Sequence, residues 1–251
     1  MTLDDALAQL RALSDPERAQ GMADYHKVPR EYLGLTTPQI TDLATAWREG
    51  MDMSDRVALA DALWKTDIFE AKIAAAKLLT QARMKPDAAA WALIVSWVPT
   101  FDSWAIADAA AIAGQKRLLA DPARIDTVAE WTGSPHHWTR RAAMVFTLPW
   151  TKQNHPKPAD VQIRQRVLEW AAAYVHDPEW FIQKSVAWWL RELSKHDPDR
   201  VRYFLKNHAR HMKPFARREA SKLLPPQTTQ DSSPETPQAT PQATPPADTQ
   251  G

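Results

Sequence analysis

The 251-residue chain has no cysteine, only six glycines and no long uninterrupted apolar run. Without cysteine there is no disulfide framework, no thiolate zinc or iron–sulfur centre and no cysteine nucleophile. Folding must then rest on an ordinary apolar core, and a reducing, cytoplasmic compartment is expected. The scarcity of glycine, with no alternating Val/Ile/Thr segment bounded by turn residues, leaves a β-sheet without support. No stretch approaches the roughly 20 apolar residues of a membrane span. The opening MTLDDALAQLRALSDPE carries Asp4 and Asp5 and lacks the apolar core of a signal peptide, so a soluble, unprocessed protein without membrane contact is expected. Also missing are a glycine-rich phosphate loop, a Walker lysine and a nucleophile elbow, which sets aside nucleotide cofactors and serine hydrolysis.

Charge is nearly balanced, with 31 basic and 30 acidic side chains, but it is unevenly spread. From Pro225 onward, PPQTTQDSSPETPQATPQATPPADTQG holds seven of the 20 prolines, three acids and no base. Such a segment has too little apolar surface to offset the entropy of ordering, and it reads as a disordered Pro/Thr/Gln-rich tail, residues 225–251. The remaining domain, residues 1–224, carries 31 basic against 27 acidic groups, a net of +4. Residues 195–222 alone hold nine Lys/Arg and three acids. That excess suits an anionic partner or a solvated basic face.

What the sequence has in quantity is helix starts. Asp-Pro recurs at 15–16, 121–122, 177–178 and 197–198, and Thr37-Pro38 and Ser134-Pro135 have the same form. Each sets a capping side chain before a proline whose missing N–H costs nothing in the first turn. Amphipathic segments follow near 2–13, 16–26, 37–48, 54–66, 68–82, 86–98, 103–113, 122–131, 135–147, 158–175, 178–194, 198–209 and 214–224. Paired, they repeat at about 40 residues, which predicts an all-α solenoid of about six HEAT-like helical hairpins with a concave basic face. A compact helical bundle is the second reading.

Among the 12 tryptophans, two stand off the apolar stripes of their helices. In the segment near 178–194 the stripe is Ile182, Val186, Trp189 and Leu193. Trp188 falls on another face with Lys184, Arg191 and Lys195. In the segment near 103–113 the stripe is Ile106, Ala109, Ala110 and Ala113, while Trp104 and Asp108, one turn apart, project from the opposite side. An aromatic ring beside a carboxylate, both turned from the packing surface, suggests a site. Arg140 and Arg141 follow Trp138, and one of them must flank the Trp138/Ala142/Val145 stripe; a phosphate contact or a solvated pair would follow. His136 and His137 are adjacent and point apart on a helix, so no metal site is expected.

The segments ADYHKVPREYLGLTTPQ (23–39), FDSWAIAD (101–108), WTRRAAMVF (138–146) and FIQKSVAWWLRE (181–192) resemble the DNA alkylation repair glycosylases of the AlkD type, a family with HEAT-like repeats. The resemblance covers most of residues 20–224. It implies excision of positively charged N3- or N7-alkylated purines, such as 3-methyladenine and 7-methylguanine, from double-stranded DNA. The lesion would stay stacked, without base flipping. It matches Asp108 and Trp104 to the catalytic pair, Trp188 to a second active-site tryptophan, Arg141 to a DNA-contacting arginine and Tyr25 to a tyrosine at the lesion cleft. Arg140, Lys184 and Arg191 would add phosphate contacts. A carboxylate about 4 Å from an oxocarbenium-like sugar would supply on the order of a thousandfold in rate. Neither metal nor organic cofactor is implied, and a monofunctional, monomeric enzyme is expected. Ala105-Ile106-Ala107 departs from the polar residue often found after the tryptophan in this family, and the tail has no counterpart there. The competing expectations are a non-catalytic DNA-binding relative and a protein-interaction scaffold.

Overall fold

The computed structural model describes residues 1–226, so from residue 227 onward the expected tail lies outside the described residues. The described residues form thirteen α-helices: α1 (Leu3–Ala12), α2 (Pro16–His26), α3 (Thr37–Glu49), α4 (Met53–Trp64), α5 (Phe69–Leu78), α6 (Ala88–Trp97), α7 (Trp104–Ala120), α8 (Ile125–Glu130), α9 (His137–Phe146), α10 (Pro158–Tyr174), α11 (Trp180–Leu193), α12 (Pro198–His208) and α13 (Pro214–Ser221). The described residues contain no strand, only an isolated bridge between Glu31 and Ile68. No described helix is long and apolar enough to cross a membrane.

The caps explain where several helices begin. Asp15 accepts from the Arg18 N–H and Asp197 from that of Arg200, as the Asp-Pro pattern requires. Four starts differ from expectation. Thr36, not Thr37, caps α3 through a reciprocal capping box with Gln39, and Pro38 is simply the second helical residue. Asp177 and Ser134 accept from the N–H two residues ahead, not three, so each closes a small turn that precedes α11 or α9. Asp121 opens a short 3-10 turn, Pro122–Arg124, before α8. The continuous helix expected near 122–131 is therefore divided.

Five helical pairs, α4/α5 to α12/α13, follow α1–α3. Helices α3, α5, α7, α9, α11 and α13 pack each against the next in one row, while α4 against α6 and α10 against α12 begin the other. This is the expected helical-repeat solenoid. Helix α7 runs seven residues past the expected end near Ala113. Gly114 is retained inside it because a Cβ there would overlap the ring of Phe146 on α9. The rows are also tied by ion pairs close to one repeat apart in sequence: Arg124 to Asp87, Arg140 to Asp177, Arg141 to Asp108 and Arg164 to Asp197. Near the N-terminus, the fully buried Glu70 on α5 accepts from the N–H groups of Leu33, Gly34 and Leu35 at 2.9, 2.8 and 3.3 Å. Gly34 takes a positive φ of 81°, with backbone of α2 packed against it. That loop sets α2, which has no fully buried residue, over the N-terminal ends of α5 and α7.

Candidate functional site

Trp104 is the first residue of α7 and is 36% exposed. Asp108 follows one turn later on the same side, as the sequence predicts. Ala109 does not belong to the buried stripe: it is half-buried and lines the same cavity, while Ala107, Ala111 and Gly114 turn inward. The cavity has a volume of about 470 Å³ and runs between α2, α3, α5 and α7. Its aromatic end consists of Tyr25, His26, Phe69 and Trp104, with Asp108 beside them; Arg48 and Lys77 lie on its wall from the last turns of α3 and α5. Tyr25, 69% exposed, meets the Trp104 ring edge-on at 6.1 Å between centroids and 87°. His26 lies 5.6 Å from Trp104 and 4.7 Å from Phe69, and stacks parallel to Tyr32 at 6.0 Å. Burial, and then the nearby Arg30 cation, holds the His26 imidazole below its ordinary pKa, which keeps this wall of the cavity neutral.

Asp108 is not a free carboxylate. Arg141 of α9 donates to it from both terminal nitrogens, Nη1 to Oδ1 at 2.5 Å and Nη2 to Oδ2 at 3.2 Å. The guanidinium side chain is 5% exposed and the carboxylate 24%, so the cation is the inner partner and the anion faces the cavity. A two-pronged pair of this kind fixes the direction of both oxygens. The expectation of a solvated Arg140/Arg141 pair is thus overturned. Arg141 is buried against Asp108, with its guanidinium 5.8 Å from the Trp138 ring, and Arg140 bonds Asp177 and the carbonyls of Ser134 and Pro135.

The second off-stripe tryptophan lines a different cavity. Ile182, Val186, Trp189 and Leu193 are fully buried as expected, and Trp188 is half-buried. Trp188 lines a cavity between α11 and α13 with Lys184 and Arg191 and shares no lining residue with the Trp104/Asp108 cavity. Arg191 pairs with Glu219 and Glu192, and Lys195 with Glu192 at 2.7 Å. The structure therefore brings Tyr25, Trp104, Asp108 and Arg141 together, groups Lys184, Trp188 and Arg191 in another cavity, and commits Arg140 to Asp177. His26, Phe69, Lys77 and Arg48 were not singled out from the sequence. All four sit at helix ends, where periodicity says least, and only the adjacency of His26 to Tyr25 hinted at its place. Among the described residues no group of three or more His, Asp or Glu side chains is arranged to hold a metal ion.

A family model described as DNA alkylation repair enzyme matches residues 6–224. Among solved structures, the chain is similar to a predicted DNA alkylation repair enzyme from Enterococcus faecalis, with 22% identity, a TM-score of 0.70 and coverage of 84% of this chain and 96% of that one. It is also similar to AlkD2 from Streptococcus mutans, with 21% identity, a TM-score of 0.58 and coverage of 76% and 91%. At these identities the two likenesses establish the common fold. A comparison with curated proteins finds no match.

Proposed function

Because the chain belongs to the DNA alkylation repair enzyme family, we propose that it is a DNA glycosylase that excises N3- and N7-alkylated purines from double-stranded DNA. The observation that carries this reading is the Asp108 carboxylate, turned into an aromatic cavity and held there by Arg141. Alkylation at N3 or N7 makes the base a cation. The C1′–N9 bond then breaks with its electron pair going to the base, which leaves neutral, and positive charge develops on the deoxyribose. Asp108 faces that charge, and a ring face of Trp104 or Tyr25 turned to it attracts it by about 0.5–2 kcal/mol each. A water oxygen bonds to C1′ and gives up a proton, for which Asp108 is the acceptor at hand. The products are the free alkylpurine and an abasic sugar. The lesion stays in the stack and is met at its sugar, no cofactor takes part, and one chain is sufficient.

The ion pair lowers what charge alone contributes. At an effective dielectric of about 20, a carboxylate about 4 Å from the sugar cation attracts it by about 4 kcal/mol, and a guanidinium about 7 Å away opposes it by about 2 kcal/mol. The remaining attraction of about 2 kcal/mol corresponds to roughly thirtyfold in rate. Directional holding of the carboxylate against the water and sugar must supply the rest. Lys184, Arg191 and Trp188, outside the cavity, belong in this reading to the surface that grips the duplex.

The deciding experiment is single-turnover release of base from duplex DNA containing 7-methylguanine. The wild-type protein should release it, and Asp108→Asn should reduce the rate by at least a hundredfold while duplex affinity stays the same or rises. Absence of release by the wild type, with duplex binding intact, would instead identify a DNA-binding member without this activity.

A further inference from the structure

The cavity between α11 and α13, about 620 Å³, is built from one face of each helix. Trp180, Lys184, Trp188 and Arg191 follow at helical spacing on α11, and Phe215, Arg218 and Lys222 do so on and just beyond α13. Some of these groups are committed. Arg191 is held by Glu219, Trp180 and Phe215 stack at 5.4 Å and 27°, and the Lys184 ammonium stands 4.5 Å from the Trp180 ring centroid. The others are not. Trp188 has neither a ring nor a cation partner among the described residues, and Arg218 and Lys222 have no carboxylate within 4.0 Å among them.

An apolar ring in a concavity with free cations on the facing helix is complementary to a base and its phosphate. A base within a duplex offers only its edge to a groove, because its faces are covered by its neighbours. Only a nucleotide that has left the stack presents a face to a tryptophan. The volume lies within the roughly 300–1,000 Å³ of cavities that enclose small organic groups. We propose that the α11/α13 cavity receives an unpaired nucleotide of the bound DNA, with its base against Trp188 and its phosphate between Arg218 and Lys222. The inference rests on DNA being the substrate but not on the excision chemistry at Asp108, since the sugar of the stacked lesion would meet the Trp104/Asp108 cavity and the unpaired nucleotide the α11/α13 cavity. Trp180 and Phe215 form the fixed wall, and their mutual stacking leaves Trp188 as the contact surface.

The test compares two unmodified duplexes of one sequence, one fully paired and one with a single extra, unpaired adenosine, by fluorescence anisotropy with the full-length protein. The duplex with the unpaired nucleotide should bind about tenfold more tightly. Trp188→Ala should erase that preference, and Trp188→Phe should keep most of it. Arg218→Gln with Lys222→Gln should also reduce it and make binding less steeply dependent on salt, by up to about two ions released. Equal affinity of the wild type for both duplexes, or a preference that survives both Trp188→Ala and the double glutamine variant, overturns the proposal. If Trp188→Ala does not fold, the double glutamine variant decides alone. Because no lesion is present, failure here leaves the 7-methylguanine result standing, and failure there leaves this one standing.

Discussion

Arg141 makes Asp108 half of an ion pair, and this changes what removing the carboxylate does. Asp108→Asn leaves a guanidinium that is 5% exposed without its counter-charge, so the variant should lose about 2 kcal/mol of stability, less than a fully buried pair because Asp108 meets solvent. Adding Arg141→Gln removes the stranded charge. The double variant should melt close to the wild type yet remain as inactive as Asp108→Asn. Thermal unfolding and single-turnover excision on the three variants separate the roles: recovery of excision in the double variant would mean that the carboxylate serves only to hold Arg141. The sequence made Trp104 and Asp108 legible because helical spacing alone puts them on one side. It did not reveal the pair, because Asp108 and Arg141 are 33 residues apart on different helices. Nothing local in Thr139-Arg140-Arg141-Ala142 tells which arginine turns inward; the positions of Asp108 and Asp177 in the neighbouring repeats decide it.

At the level of elements, the distance between α7 and α9 determines whether that pair can close. Gly114 and Phe146 set this distance where the two helices meet. Gly114→Ala gains about 1 kcal/mol of helix propensity but must displace a fully buried ring, a cost of about 1–3 kcal/mol. The variant should therefore be less stable than the wild type by up to about 2 kcal/mol, and excision should fall several-fold as α7 shifts against α9. Phe146→Leu in the Gly114→Ala background should recover part of both losses. A rise in melting temperature for Gly114→Ala alone would show that the helices are not in close contact there. The apolar stripe legible in the sequence runs out at Ala113, which is why the expected segment stops there although α7 continues to Ala120. The exposed-looking turns before α9 and α11 misled as well. Their capping residues and prolines are real, but a bond to the second N–H instead of the third delays the helix by two residues. The all-helical repeat and the order of its helices were legible, since caps and periodicity are local. Packing distances between helices are not.

For the molecule as a whole, the charge read from the sequence is redistributed by folding. Of the nine cations in residues 195–222, Lys195, Arg200 and Arg202 pair with Glu192, Asp197 and Asp199. Lys206, Arg210, Lys213, Arg217, Arg218 and Lys222 have no carboxylate partner among the described residues. If about five of these and the other free cations meet phosphates, duplex affinity should fall by about 10²–10³-fold between 50 and 200 mM salt, with a logarithmic slope near −4.5. A slope shallower than about −2 would mean that the basic C-terminal helices do not face the DNA. The three acids after Pro225 carry the opposite sign on the same chain. A chain ending at Leu224 should keep its melting temperature and its 7-methylguanine excision rate, because the helical repeats and both cavities lie within residues 1–224. Its duplex affinity should rise by a few-fold at 50 mM salt and by less at 200 mM, where a Debye length of about 7–8 Å screens the tail from the DNA. Loss of excision on truncation would instead place residues beyond 224 within the catalytic unit, and a gain in affinity undiminished by salt would point to direct competition by the tail for the DNA surface.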